Sequence, residues 1–136
     1  MQITLKKHAT KIAIAVFVIT LAMFYINYVM IFQAPLTPTN HFGFFLYSFG
    51  FALITFIYAH FRLTAGFTVF FFGWLFTLVQ LYIDLLKARI ETGGTAGAAL
   101  GFIFNMAFVL IISIVAEGLR QLIKFFVKTM SKTDAK

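Results

Sequence analysis

Four stretches of this sequence run almost without interruption through apolar residues, and short polar segments separate them. They cover residues 12–32, 42–59, 65–86 and 98–116. At 1.5 Å per residue the first makes a helix of about 31 Å, close to the thickness of a bilayer's hydrocarbon core. The shortest, 42–59, still reaches about 27 Å. The pattern predicts an all-α polytopic membrane protein: one domain, a bundle of four transmembrane helices. Residues 33–41 hold both prolines with Thr37, Thr39 and Asn40, and they read as a turn outside the bilayer. Residues 60–64 form a tight link, which predicts that the second and third helices pair as an antiparallel hairpin. Gly93 and Gly94 mark the last turn.

Beyond residue 116 the period changes but stays helical. Arg120, Lys124, Lys128 and Lys132 recur every four residues, with Leu119, Leu122, Ile123, Phe126, Val127 and Met130 opposite them. Residues 117–132 therefore read as an amphipathic basic helix suited to an anionic membrane surface, with Gly118 as the bend. A plain continuation of the fourth helix into solvent is the alternative. Glu117 precedes Arg120 by three residues and reads as a helix-end ion pair.

Composition supports the same class, since 62% of residues are hydrophobic and 11% charged, against roughly a quarter charged in soluble domains. The net charge of +7 takes its meaning from where the cations lie. Lys6, Lys7, Lys11, Arg62, Arg120, Lys124, Lys128, Lys132 and Lys136 fall on one side of the four spans, and only Lys87 and Arg89 on the other. Cytoplasmic loops retain positive charge, so both termini are expected on the cytoplasmic side of a bacterial inner membrane. The expected partners are membrane lipids, including anionic lipid touched by Arg120, Lys124, Lys128 and Lys132, and a membrane protein or a second copy of the chain. No nucleic-acid partner is expected.

Polar side chains within the spans are costly and therefore informative. Asn27, Ser48, Gln80 and Asn105, one per helix, fall at a common depth about 8 to 10 Å below the outer surface. Asp84 lies one turn above Gln80 on the same face, and Thr77 continues that face inward. They admit two accounts. One is a polar pocket open outward, with Asp84 at its mouth and His41, Arg89 or Glu91 added by loops. The plainer one, which we adopt here, is an interhelical hydrogen-bond layer worth about 0.6 to 2 kcal/mol per bond.

Glycines point to packing. Gly43 and Gly50 are seven residues apart, as are Gly66 and Gly73, and Gly50 and Gly73 are expected to meet near mid-membrane. Gly97 and Gly101 make a small-xxx-small step in the fourth helix. The twenty phenylalanines read as packing and lipid-facing bulk. Tyr25, Tyr28, Tyr47 and Tyr82 lie in the outer halves of their spans, and the more superficial suit an interfacial belt. Trp74, near mid-membrane, needs an indole partner.

Candidate chemistry is sparse. Without cysteine there is no disulfide or thiolate site. His8, His41 and His60 fall on different sides, so no shared metal site is expected. No catalytic residue and no cofactor are expected. The chain reads as a non-enzymatic scaffold or regulatory subunit of a larger envelope assembly. The rival reading is a small-solute or lipid transporter, or a channel, working as an oligomer around the polar layer.

Overall fold

The computed structural model describes residues 2–33, 35–90 and 96–133, and these are helical apart from short connections. A short helix α1 (Gln2–Lys7) precedes α2 (Ala9–Tyr25), which runs into a π-helical segment, Ile26–Phe32. Then come α3 (Pro38–His60), α4 (Thr64–Ile90) and α5 (Ala96–Thr133). Four stretches, Ala9–Ile31, Pro38–His60, Thr64–Lys87 and Ala98–Met130, are long and apolar enough to cross a membrane. The chain is an integral membrane protein with a four-helix bundle. The start of α2, the α3–α4 turn and the last turns of α5 lie at one end, called here the near end; the π-helical segment, the start of α3, the end of α4 and the start of α5 lie at the far end.

The helix boundaries follow from local chemistry. Helix α3 begins at Pro38, earlier than the apolar run suggests, because Thr37 and Pro38 form a helix start. The Thr37 hydroxyl accepts from the Asn40 N–H at 3.4 Å, and proline fits the first helical position, where an N–H would go unused. At the other end the Leu63 N–H donates to the Tyr58 carbonyl at 2.9 Å, and the Arg62 N–H donates to that of Ala59 at 3.3 Å. Arg62 stands at φ 59, so this is a Schellman closure with arginine where glycine is usual. The turn reverses the chain within three residues.

The tight turn expected between α3 and α4 is present, but these two helices are not the main packing pair. The extensive interfaces are α2 with α3 and α4 with α5; α3 and α4 touch sparsely. Glycine placement supplies the reason. A Cβ at Gly73 would overlap the Val109 side chain of α5, and one at Gly66 would lie 3.1 Å from the Ser113 carbonyl oxygen and 3.3 Å from Glu117 Cβ. Near the far end, Gly101 lies opposite Asp84, whose Oδ2 would be 3.9 Å from an added Cβ. Facing residues descend on α5 as they ascend on α4, the signature of one antiparallel seam. Without a hydrophobic drive inside lipid, helices associate by such close backbone approach and by interhelical hydrogen bonds. Gly50 meets nothing within 4 Å, so the expected Gly50–Gly73 contact is absent.

Hydrogen bonds tie the two helix pairs together. The Trp74 indole N–H of α4 donates to Thr20 Oγ1 of α2 at 3.0 Å, and the Thr20 hydroxyl donates to the Val16 carbonyl at 2.6 Å. Tyr58 of α3 and Ser113 of α5 share a hydrogen bond of 2.7 Å. Trp74 and Phe70 are the largest fully buried side chains, while the apolar residues left exposed cover the outside of the bundle.

Candidate functional site

Helix α2 buries one stripe, Ala9, Ala13, Val16, Thr20 and Phe24, and the π-helical segment continues it with Asn27 and Ile31. A π turn carries one more residue per turn than an α turn and so re-aims the side chains that follow it; such turns are frequent at functional sites. The segment ends at Gln33, whose φ of 55 is left-handed. Asn27 is 1% exposed, and among the described residues neither its Oδ1 nor its Nδ2 has a hydrogen-bond partner. A carboxamide offers two donors and two acceptor sites, and burying it unpaired costs about 1 to 3 kcal/mol.

Asn27 lines a cavity of about 330 Å³ at the far end of the bundle. Phe24, Leu81, Leu85 and Phe102 supply its buried wall, and Tyr28, Asn40, Gly43 and Phe44 line the side toward the α2–α3 connection. Phe102 is fixed by edge-on ring contacts with Phe24, Tyr47 and Phe51 at centroid distances of 5.4, 6.5 and 5.9 Å. Asn40 adds a second carboxamide whose Nδ2 is buried without a partner. The exposed lining residues are Thr39 and Tyr47 on α3 and Ala99 and Ile103 on α5. The opening therefore lies between those two helices, whose backbones scarcely touch. Among the described residues no charged side chain lines the cavity.

The candidate polar layer is not one site. Asn27 lines the cavity, whereas Ser48, Gln80, Asp84 and Asn105 do not. Ser48 is fully buried with its Oγ unpartnered, and Asn105 is half-buried on α5. Gln80 Nε2 donates to Asp84 Oδ1 at 2.9 Å, so the acid pairs along its own helix beside Gly101 instead of guarding a mouth. The Thr77 hydroxyl lies 2.9 Å from the Trp74 carbonyl and 2.7 Å from Met106 Sδ on the α4–α5 seam. His41 is bound to the Tyr25 hydroxyl through Nδ1 at 2.6 Å and does not line the cavity. Glu91 and Lys136 lie outside the described residues, as do the surroundings of Gly97 and the side chains of Arg89 and Lys132.

At the near end the structure adds a cluster that spacing alone did not reveal. Glu117 Oε2 accepts from the backbone N–H groups of Ala65 and Gly66 at 3.0 and 3.1 Å. The carboxylate of α5 thus caps the first turn of α4, where free N–H groups and the helix dipole favour negative charge. Arg120 pairs with the same carboxylate at 2.9 Å and reaches the Arg62 carbonyl at 3.4 Å, and Gln121 donates to Glu117 Oε1 at 2.7 Å. The expected Glu117–Arg120 pair is present, and Arg120 Nη1 is engaged in this cluster. The separate bent tail is absent: α5 passes through Gly118 as one helix. Beyond Arg120 every side chain from Gln121 to Met130 is exposed, Lys124 and Lys128 included.

Among the described residues no group of three or more metal-ligating side chains assembles. No family model matches the chain, and neither does any curated protein or solved structure.

Proposed function

We propose that the protein is a non-enzymatic scaffold or regulatory subunit of a larger envelope assembly in a bacterial inner membrane, with both termini cytoplasmic and the near-end extension of α5 as its docking arm. One observation carries this reading. Helix α5 has 38 residues, about 57 Å, against a hydrocarbon core of about 30 Å, and beyond the Glu117 cluster it exposes Leu122, Ile123, Phe126, Val127 and Met130. A stripe of large apolar side chains outside the packed bundle calls for a cover. Lys124 and Lys128 beside it favour a partner whose apolar groove has an acidic rim, or the anionic lipid surface next to it. Transport around a common polar layer has less support, because Ser48, Gln80, Asp84 and Asn105 do not line the cavity that holds Asn27.

A photo-crosslinking amino acid at Ile123 or Phe126, introduced in intact cells, tests the docking arm. The expected result is a discrete protein adduct that co-migrates with a larger native complex and disappears in Leu122→Glu or Val127→Glu at unchanged membrane abundance. Adducts with lipid alone would remove the docking role.

A further inference from the structure

The far-end cavity has the construction of a ligand site independent of the docking arm. Its volume of about 330 Å³ falls at the lower end of small-molecule sites, and it joins an apolar wall to a few converging polar atoms, as such sites do. Those polar atoms are specific in kind. Asn27 brings one donor group and one acceptor, both unpartnered and almost wholly buried, and Asn40 brings a second unpartnered donor group. Among the buried unpartnered atoms two amide groups donate and one carbonyl accepts, and the Thr39 and Tyr47 hydroxyls at the exposed rim can do either, so a head with acceptor oxygens and a hydroxyl matches the site. Among the described residues no cation lines the cavity to neutralise an anionic head, and no carboxylate to hold a cationic one.

The route in is equally restrictive. The exposed lining residues sit on α3 and α5, so the opening faces sideways between two membrane-spanning helices, where acyl chains approach. Tyr47 and Ile103 flank it with apolar surface at 41% and 42% exposure. We propose that this cavity binds the head of a neutral glycerolipid with one free hydroxyl, a diacylglycerol, taken laterally from the bilayer. The Asn27 and Asn40 amide N–H groups donate to its ester carbonyls, and Asn27 Oδ1 accepts from its hydroxyl. The acyl chains leave between α3 and α5.

The full chain in phosphatidylcholine nanodiscs tests this with two probes of equal chain length, a photoactivatable diacylglycerol and a photoactivatable phosphatidylglycerol. Diacylglycerol should label peptides covering residues 39–47 and 99–103 at least fivefold more than phosphatidylglycerol does. Asn27→Leu, which removes the carboxamide at similar volume, should lower that labelling at least fivefold. Ala99→Trp narrows the opening from an exposed position and should do the same; it decides the matter if Asn27→Leu fails to fold. The emission of Trp74 serves as the folding check for Asn27→Leu. Equal labelling by both lipids would mean a generic acyl-chain groove, and parent-level labelling of the folded variants would mean that the lipid does not enter the cavity. Either result overturns the proposal.

Discussion

Gly66 and Glu117 lock the near ends of α4 and α5 together: the Gly66 N–H donates to Glu117 Oε2 at 3.1 Å, and a Cβ on residue 66 would lie 3.3 Å from Glu117 Cβ. The absent side chain and the carboxylate act jointly, because only close backbone approach lets the acid reach the first turn of its neighbour. Glu117→Ala should therefore lower stability by about 2 kcal/mol, since it frees two N–H groups at a helix start and strips Arg120 of its partner. Glu117→Gln keeps an acceptor oxygen and should lose about half as much. Unfolding titrations in mixed detergent micelles measure both, and equal stability of all three proteins would contradict the capping role.

The α4–α5 seam gives a second outcome, with an internal control on another helix. Gly73 faces Val109 so closely that a side chain cannot be added without displacement, whereas Gly50 has open space. Gly73→Leu should cost about 1 to 3 kcal/mol by overpacking, and Gly50→Leu should be close to neutral. Val109→Gly combined with Gly73→Ala should recover part of the loss, because neighbouring substitutions couple. Thermal unfolding in detergent distinguishes these, and equal loss at residues 50 and 73 would place the close contact elsewhere.

How far the sequence carried this reading depends on the coordinate in question. Length and apolarity give position along the membrane normal, so the four spans were legible, and so was the need of Trp74 for a partner. Rotation about each helix axis and the order of helices in the bundle are tertiary properties, and equal depth says nothing about them. Asn27 and Gln80 share a level, yet one lines the cavity and the other pairs with Asp84. The π-helical segment adds a rotation that a regular 3.6-residue period cannot anticipate. Pro38 was read as a turn residue because proline serves turns and helix starts alike; the Thr37 side chain decides for the helix. Thr20, the one serine or threonine of the first span, was visible in the sequence and could have pointed to the acceptor for Trp74.

The Trp74–Thr20 bond joins the two helix pairs across the core, and it concerns the only tryptophan in the chain. Thr20→Val keeps the shape but leaves the indole N–H unpaired in a buried site, at a cost of about 1 to 2 kcal/mol. Its emission should shift, because loss of the acceptor changes the field at the indole. In a double-mutant cycle with Trp74→Phe the two losses should fall short of additivity by about 1 kcal/mol. Strict additivity would show that the contact contributes nothing.

The proposed orientation rests on nine basic residues on one side against two on the other. The chain has no cysteine, so single cysteines report without background. In sealed cells Thr39→Cys should react with an impermeant thiol reagent and Lys128→Cys should react only after lysis. The reverse pattern would invert the topology and move the α5 extension to the opposite compartment.

Asp84 provides the sharpest separation between an acid that works and an acid that packs. Its Oδ1 accepts from Gln80 Nε2 at 2.9 Å within the same helix, and its Oδ2 faces the backbone of α5 at Gly101. Asp84→Asn preserves size and an acceptor for Gln80, so stability should change by less than about 1 kcal/mol. Asp84→Leu leaves the half-buried Gln80 amide without that acceptor and should cost about 1 to 2 kcal/mol. A carboxylate that carried a proton or cation through the membrane would fail in both variants at normal abundance, because asparagine cannot ionise. The structural role instead has Asp84→Asn retaining cellular function, and Asp84→Leu losing it only in proportion to the folded protein lost. Measuring membrane abundance and complementation for the two variants side by side distinguishes these cases. Complete loss of function in an abundant Asp84→Asn protein would favour ion or solute movement over the scaffold reading.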